Sequence, residues 1–235
     1  MYGDHLIPVD LVKDDLVISV DRIDGRLLYH RDLAGNVVEK ELLTGKGDIL
    51  ICPVEPMNLP KKITSSLLVE FEKPLVVEPG YDKRVFVTFP VEIGVFAGKG
   101  KIARSIDIFG LSKPKFTLYG DVKTGSICKY WNSEVYHKLP KVDPAYEGII
   151  DLNISNIGKR WVEVTKVVFS AYGMKIYYDS GVASMRASMI IQGEDHSETK
   201  FIDKPLRKGM KSSKEIYIHS IQPLKGQKFI MEGGI

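Results

Sequence analysis

The sequence predicts an all-β protein made of two sandwich-like, immunoglobulin-like domains of mostly antiparallel strands. Apolar residues recur at every second position in many short runs, which is the period of a strand with one buried face. Turn residues separate these runs at close spacing, and no run shows the capped, periodic pattern of a long helix. The chain of 235 residues is long enough for two domains of ordinary size.

The first quarter of the chain predicts an antiparallel meander. Asp24-Gly25 and Gly35-Asn36 are dipeptides typical of tight hairpin turns, and they separate the first three predicted strands. The strands predicted in this part are Leu16–Val20, Arg26–His30, Asn36–Leu43 and Asp48–Cys52.

The most regular alternation in the chain lies between Val85 and Val95, where every second residue is apolar. Pro90 lies inside this run and has no N–H group to donate to a sheet ladder. The run therefore predicts either an edge strand or two strands that bend at Pro90.

The second half of the chain predicts a hairpin followed by a further strand. Ile150–Ile154 and Val162–Phe169 alternate, and the Gly-containing segment Asn156–Arg160 lies between them. The alternation changes phase near Lys166, which indicates a β-bulge there. Ala183–Ile191 fits alternation better than helical spacing, so we predict a strand.

A short pattern occurs twice and indicates two related halves. Glu72-Lys73-Pro74-Leu75 precedes Val85-Phe86-Val87, and Asp203-Lys204-Pro205-Leu206 precedes Ile216-Tyr217-Ile218 at the same spacing. The pattern predicts that a strand ends, that Lys-Pro begins a turn, and that a new strand follows. Shared ancestry and a coincidence of β-rich composition both stay open. We predict domains at residues 1–110 and 111–235.

Composition and charge favour no large class of partner. The formal net charge of +3 is small for this length, so it does not indicate a nucleic-acid-binding protein. The N-terminus lacks the basic and apolar regions of a signal peptide, and charged residues interrupt every apolar run. These features predict a cytoplasmic protein without membrane insertion. The chain has only three Gln and five Asn, which hints at a thermophilic source.

The two cysteines, Cys52 and Cys128, are too few for a disulfide framework and lack the spacing of a metal site. We interpret them as two buried thiols in a reducing compartment. A single bridge between them remains the alternative.

No catalytic or cofactor motif occurs in the sequence. A phosphate-binding loop, a dinucleotide fingerprint, a nucleophile elbow and a zinc-binding helix are all absent. None of the five histidines lies within four residues of another, so no local metal motif forms. We therefore predict no catalytic residues, no metal and no cofactor. An enzyme whose site assembles from distant loops stays open as an alternative.

The segment Phe116–His137 interleaves aromatic residues with lysines. Such a pattern suits packing within the protein, a protein interface, or stacking against a ligand or nucleic acid. We predict that Trp161, outside this segment, packs against a core. The residues predicted to form an interaction surface are Tyr119, Lys129, Tyr130, Trp131, Glu134, Tyr136 and His137.

The densest basic patch straddles the loop of the second copy of the repeated pattern. Five basic residues within a short loop could contact phosphates or an acidic surface. A loop that adds solubility and guards a sheet edge is the simpler interpretation. The candidate anion-binding residues are Lys204, Arg207, Lys208, Lys211 and Lys214.

Three stretches resemble an archaeal family known as domain of unknown function family 432. They are Met1-Tyr2-Gly3-Asp4-His5, Phe89-Pro90-Val91-Glu92-Ile93-Gly94, and the run from Ser126 to Tyr136. The resemblance implies an archaeal intracellular protein and brings no catalytic residues to assign. It also points to proteins of the mechanosensitive-channel type as partners.

These observations together predict a non-enzymatic interaction or scaffolding protein. It would recognise a protein partner, or a second copy of itself, through edge strands such as Val85–Val95 and through the segment Phe116–His137. The alternative function is binding of a polyanion or small ligand, a nucleic acid or a sugar, through the basic loop and the aromatic residues.

Overall fold

The computed structural model describes residues 1–44, 47–59, 63–98, 103–216 and 228–235, with the side chain of Lys228 left aside. These parts contain 19 strands and no helix. Most strand pairs are antiparallel, and the sheets pack in sandwich-like fashion. The predicted all-β fold class is therefore confirmed. Within the described ranges, no helix is long and apolar enough to cross a membrane.

The chain forms two compact units. The first comprises residues 1–52 and 93–108, and the second comprises residues 53–92 and 109–235. The chain passes between the units three times, and each passage falls inside a strand. The predicted division into domains 1–110 and 111–235 stays a prediction, but the segment 53–92 pairs with strands that follow residue 109.

The first unit holds two four-stranded sheets, in the orders β2-β3-β4-β5 and β1-β6-β9-β10. The ends of β6, β9 and β10 extend into the second unit. The strands are β1 (Gly3–Leu6), β2 (Val9–Lys13), β3 (Leu16–Ile23), β4 (Arg26–Leu33), β5 (Asn36–Leu42), β6 (Asp48–Val54), β9 (Glu92–Ala97) and β10 (Arg104–Gly110).

The antiparallel meander predicted for the first quarter of the chain is present, with one turn displaced. Asp24 and Gly25 both have positive φ, as the predicted turn requires. The next turn is formed by Ala34 and Gly35, whose φ values are 50° and 84°, and not by Gly35-Asn36. Asn36 already pairs with Leu33 in the ladder. The prediction missed this because alanine rarely adopts positive φ.

A buried polar contact joins the two sheets of the first unit. Tyr29 and Arg31 on β4 both donate to Oδ2 of Asp107 on β10, at 2.8 and 2.7 Å. All three side chains are buried. Burial and the Asp107 charge raise the pKa of Tyr29, so its phenol stays protonated. Because the Asp107 carboxylate accepts hydrogen bonds from both Tyr29 and Arg31, the ion pair can lie among apolar side chains.

The second unit packs a four-stranded sheet, in the order β11-β12-β7-β14, against a seven-stranded one. The larger sheet has the order β18-β15-β16-β13-β8, and β17 and β19 follow β16 on another branch. The strands are β7 (Ser66–Val77), β8 (Asp82–Pro90), β11 (Lys115–Tyr119), β12 (Ser126–Ser133), β13 (Glu147–Asn156), β14 (Val162–Ser170), β15 (Tyr177–Tyr178), β16 (Ala183–Gly193), β17 (His196–Ile202), β18 (Lys211–Ser212) and β19 (Lys228–Met231).

The regular run Val85–Val95 is two strands, β8 and β9, which separate at Val91 just after Pro90. This is the second of the two predicted forms. Both faces of β8 are buried from Val85 onward, and Tyr136 pairs with the free edge of β8 at Phe86. The run is therefore not the exposed recognition edge that the sequence suggested.

The predicted hairpin of β13 and β14 is wrong. β13 is already paired on both edges, by β8 and by β16, so β14 pairs with β7 in the other sheet. The chain therefore crosses from one sheet to the other between β13 and β14, and Asn156 holds this crossing segment in place. Its amide donates to the carbonyls of Val77 and Arg160, and its Oδ1 accepts from the Gly158 N–H. Alternation reveals strands but not their partners.

The bulge predicted near Lys166 is present in the pairing of β7 with β14. Lys166 pairs with Glu70 and Val164 pairs with Leu75, so four residues of β7 oppose one residue of β14. Pro74 lies within this irregular stretch, where a missing N–H costs no ladder hydrogen bond. The strand predicted at Ala183–Ile191 is also confirmed, as β16.

The two copies of the repeated pattern differ in structure. Glu72–Leu75 lies inside β7, whereas Asp203–Leu206 is a loop after β17. The prediction that a strand ends at Lys-Pro therefore holds for the second copy only. Tyr217 and Ile218, which complete that copy, lie outside the described residues. Local structure thus gives no support for two related halves.

Both cysteines are buried thiols and neither forms a disulfide, so the alternative of a bridge between them is wrong. Burial raises the pKa of Cys128 to about 11.

Candidate functional site

Two residues of the predicted interaction surface are buried. The hydroxyl of Tyr119 donates to the Gly234 carbonyl and accepts from the Gly233 N–H, which attaches the C-terminus to β11. Lys129 on β12 forms an ion pair with Glu92, with Nζ 2.7 Å from Oε1. Burial raises the pKa of Glu92, although Lys129 and the Asn58 N–H oppose the shift. Neither side chain can meet a partner.

The neighbouring aromatic residues are half-buried and hydrogen-bonded within the second unit. Trp131 Nε1 donates to Thr88 Oγ1 at 2.9 Å, and the Tyr130 hydroxyl donates to Glu70. The bond to Glu70 raises the pKa of Tyr130. The Trp131 contact joins the two sheets, and the Tyr130 contact lies within the four-stranded sheet. Both show packing within the protein, one of the three interpretations that the sequence left open. Tyr136 is half-buried, and Glu134 and His137 are exposed.

The exposed apolar part of this segment lies on β11 and its neighbour. Phe116, Leu118 and Ile127 are 37%, 43% and 51% exposed. The register pairs Leu118 with Ile127 and Phe116 with Lys129, so these residues share one face of the sheet. β11 is the last strand of its sheet, and in the described part of the chain no strand pairs with its outer edge.

A second distinctive surface is the outer face of the seven-stranded sheet. Asp151 on β13 is flanked by two arginines from the strands on either side of it. Arg84 Nη2 donates to Asp151 Oδ2 at 2.9 Å, and Arg186 Nε lies 2.9 Å from the same oxygen. The side chain of Asp151 is 6% exposed, whereas that of Arg84 is 53% exposed. Two cations share one carboxylate, so one positive charge is left over.

Two residues along β13 from Asp151, a row of paired residues runs across the same face. This row is polar on all four neighbouring strands. The ladders pair Arg84 with Asn153, Asn153 with Ser188, and Ser188 with Lys200. Asn153 donates to Asp82. The hydroxyl of Ser188 is buried and has no hydrogen-bond partner among the described residues. We call Arg84, Asn153, Arg186, Ser188 and Lys200 the arginine face.

The predicted basic loop lies beside the arginine face, because Arg186 Nη2 donates to the Leu206 carbonyl. Lys204 and Lys208 are exposed, whereas Lys214 is half-buried and Lys211 is exposed on the short strand β18. Arg207 makes a bidentate contact with Asp179, at 2.7 and 2.8 Å. Burial opposes ionisation of Asp179, but the Gly181 N–H and Arg207 outweigh it and lower its pKa.

A shallow groove of about 440 Å³ lies on the outer face of β3, β4 and β5 in the first unit. Ion pairs lie in the groove and beside it. His30 Nδ1 lies 3.2 Å from Glu39, and Arg26 donates to Glu41 at 2.8 Å. Asp21 and Lys40 also line the groove, so these two pairs account for only part of its ionisable groups. Among the described residues, no cluster of His, Cys, Asp or Glu is placed to hold a metal ion.

Comparison with protein families matches residues 1–232 to the family described as Protein of unknown function (DUF432). The chain belongs to the DUF432 family. The resemblance seen in three short stretches thus extends over nearly the whole chain. Neither a comparison with curated proteins nor one with solved structures finds a match.

For this DUF432 protein, sequence reasoning missed the arginine face. Its residues come from β8, β13, β16 and β17, which are far apart in the chain and become neighbours only through sheet pairing. Trp161 was also misplaced, since it is 61% exposed and does not pack against a core. It lies in the crossing between the sheets, just before β14, where the chain is turning.

Proposed function

We propose that the protein is a non-enzymatic cytoplasmic interaction module, which binds an extended segment of a partner protein by adding it to the edge of β11. The observation that carries this proposal is the combination of exposed Phe116, Leu118 and Ile127 with an edge to which no described strand pairs. In strand addition, main-chain hydrogen bonds supply affinity, and alternate side chains supply specificity.

The two edges of the sheet β2-β3-β4-β5 help to show why β11 is a candidate. In the first unit, β5 contains Glu39, Lys40 and Glu41, and β2 contains Asp10 and Lys13. Charged residues of this kind protect an edge from pairing with another chain. β11 has the sequence Lys-Phe-Thr-Leu-Tyr and carries a single charge. A strand of another chain that lies beside β11 would cover its exposed apolar side chains.

The proposal predicts that a charge on β11 abolishes partner binding while the fold persists. Leu118→Lys places a lysine on the exposed face of the edge strand. Val122→Lys is the matched control, because Val122 is 86% exposed and lies beyond the end of β11. The test is affinity capture of the tagged protein at native level, with wild type and both variants compared by quantitative mass spectrometry.

We expect a partner to be recovered with wild type and Val122→Lys and lost with Leu118→Lys. Sedimentation of the purified protein shows whether the partner is a second copy of the chain. The proposal fails if all three proteins recover the same set, or if none recovers a partner and all remain monomeric.

A further inference from the structure

The arginine face has a chemical character that the β11 proposal does not explain. It gathers cationic and hydroxyl side chains on one half-buried sheet surface, away from the four-stranded sheet that contains β11. The two rows contain three cations, Arg84, Arg186 and Lys200, and one carboxylate, that of Asp151. This leaves an excess of two positive charges in these two rows. The acids of the next row, Asp82 and Glu198, limit the positive surface to this strip.

Ser188 is the residue that points to a ligand. Its hydroxyl is shielded from water and lacks a hydrogen-bond partner among the described residues. A buried hydroxyl without a hydrogen bond is unfavourable and uncommon in folded proteins, so such a group calls for an explanation. The register places it beside Lys200, and Arg186 is two residues away on the same face of β16. An oxygen-rich anion would accept from all three groups.

We propose that the arginine face binds a phosphate oxyanion, with Arg186, Ser188 and Lys200 as its donors and Arg84 at its rim. Planar guanidinium groups and lysine ammonium groups are the usual phosphate ligands. Lys200 has a flexible stem that can turn aside to admit the anion. The exposed Lys204 and Lys208 of the neighbouring loop supply additional positive charge for a longer phosphate chain.

The test is titration calorimetry with inorganic phosphate and, separately, with inorganic polyphosphate, in phosphate-free buffer at about 20 mM salt to limit screening. Ser188→Ala and Lys200→Gln are the site variants. Lys123→Gln is the charge-matched control, because Lys123 lies exposed in the turn between β11 and β12. Each variant is also checked by thermal unfolding.

We expect saturable binding of at least one probe, weakened about tenfold by Ser188→Ala or Lys200→Gln and unchanged by Lys123→Gln. Ser188→Ala should unfold at the wild-type temperature or above it, because its hydroxyl has no hydrogen-bond partner to lose among the residues that the structure describes. Binding of phosphate identifies a small-anion site, and binding of polyphosphate alone identifies a polymer site.

The proposal is overturned if neither probe binds with a dissociation constant below about 10 mM, because weaker binding does not indicate a preformed anion site. It is also overturned if Lys123→Gln weakens binding as much as Lys200→Gln, because the effect would then be one of overall charge. Partner capture through β11 is measured with separate variants, so either proposal can fail alone.

Discussion

Nζ of Lys129 lies 2.7 Å from Oε1 of Glu92, and both side chains are almost completely buried. The backbone N–H groups of Asn58 and Leu59 also donate to this carboxylate. The pair joins β12 to the start of β9 within the second unit. A buried ion pair of this kind is tolerated because each charge compensates the other. Removing one partner leaves the other charge buried without a counter-charge.

Lys129→Met should therefore destabilise the protein by about 3–5 kcal/mol, since the carboxylate of Glu92 loses its counter-charge while remaining buried. Chemical denaturation measures the change. The double variant Lys129→Met, Glu92→Gln should recover most of the loss, because the amide oxygen can still accept from the Asn58 N–H. Glu92→Gln is also measured alone. If the losses of unfolding free energy in Lys129→Met and Glu92→Gln simply add in the double variant, the ion pair does not stabilise the fold in this way.

Asn156→Ala should cost about 2–4 kcal/mol of unfolding free energy. The alanine removes three side-chain hydrogen bonds that hold the crossing between the two sheets of the second unit. The matched control is Asn132→Ala at an exposed position, which should change stability by less than about 0.5 kcal/mol. Equal effects of the two changes in urea unfolding would contradict this role for Asn156.

Neither cysteine should react with a thiol reagent while the protein is folded. Both are buried, and burial raises the pKa of Cys128 to about 11, so little thiolate forms near neutral pH. A colorimetric thiol assay should count none in buffer and two in denaturant. Rapid labelling of Cys128 in buffer would show that β12 opens readily.

Trp161→Phe should change stability by less than about 0.5 kcal/mol, because the indole is 61% exposed. The fluorescence that remains comes from Trp131, whose Nε1 is bonded to Thr88. Its emission should lie at shorter wavelength than that of the wild-type protein, because the more solvated indole has been removed. An unchanged spectrum would place Trp161 in an apolar environment.

The ion pair of Asp179 and Arg207 should make stability depend on pH only in acid. Because the folded pKa of Asp179 is lowered, its stabilising contribution is present above the ordinary Asp pKa of about 3.9 and is lost as the pH falls through the folded value. Asp179→Asn should flatten the stability profile below about pH 4 and leave its shape near neutrality unchanged. A profile that differs from wild type mainly above pH 6 would contradict this assignment.

Sequence patterns predicted strands well because alternation is a local property. The hairpins of β3 to β5, the strand β16 and the bulge near Lys166 were all visible as period, turn residues or a change of phase. The same signal could not tell that β13 and β14 belong to different sheets. That choice depends on which edges are already occupied, and β13 lies between β8 and β16.

The candidate sites show a similar division. The basic loop and the aromatic segment were found as local clusters of residue types, yet the structure buries Tyr119 and Lys129 inside the second unit. The arginine face draws one or two residues from each of four strands, so none of its members stands out in the sequence.

The amino-acid sequence alone determined that this chain folds into sheets, where many of its strands begin and end, and which family it resembles. These properties follow from side-chain alternation, turn chemistry and short matching stretches, which act over a few residues. Tertiary structure alone decided which strands become neighbours, which edge remains open and which charges are buried in pairs. Those properties arise from hydrogen-bond pairing between segments far apart in the chain, and no local pattern encodes them.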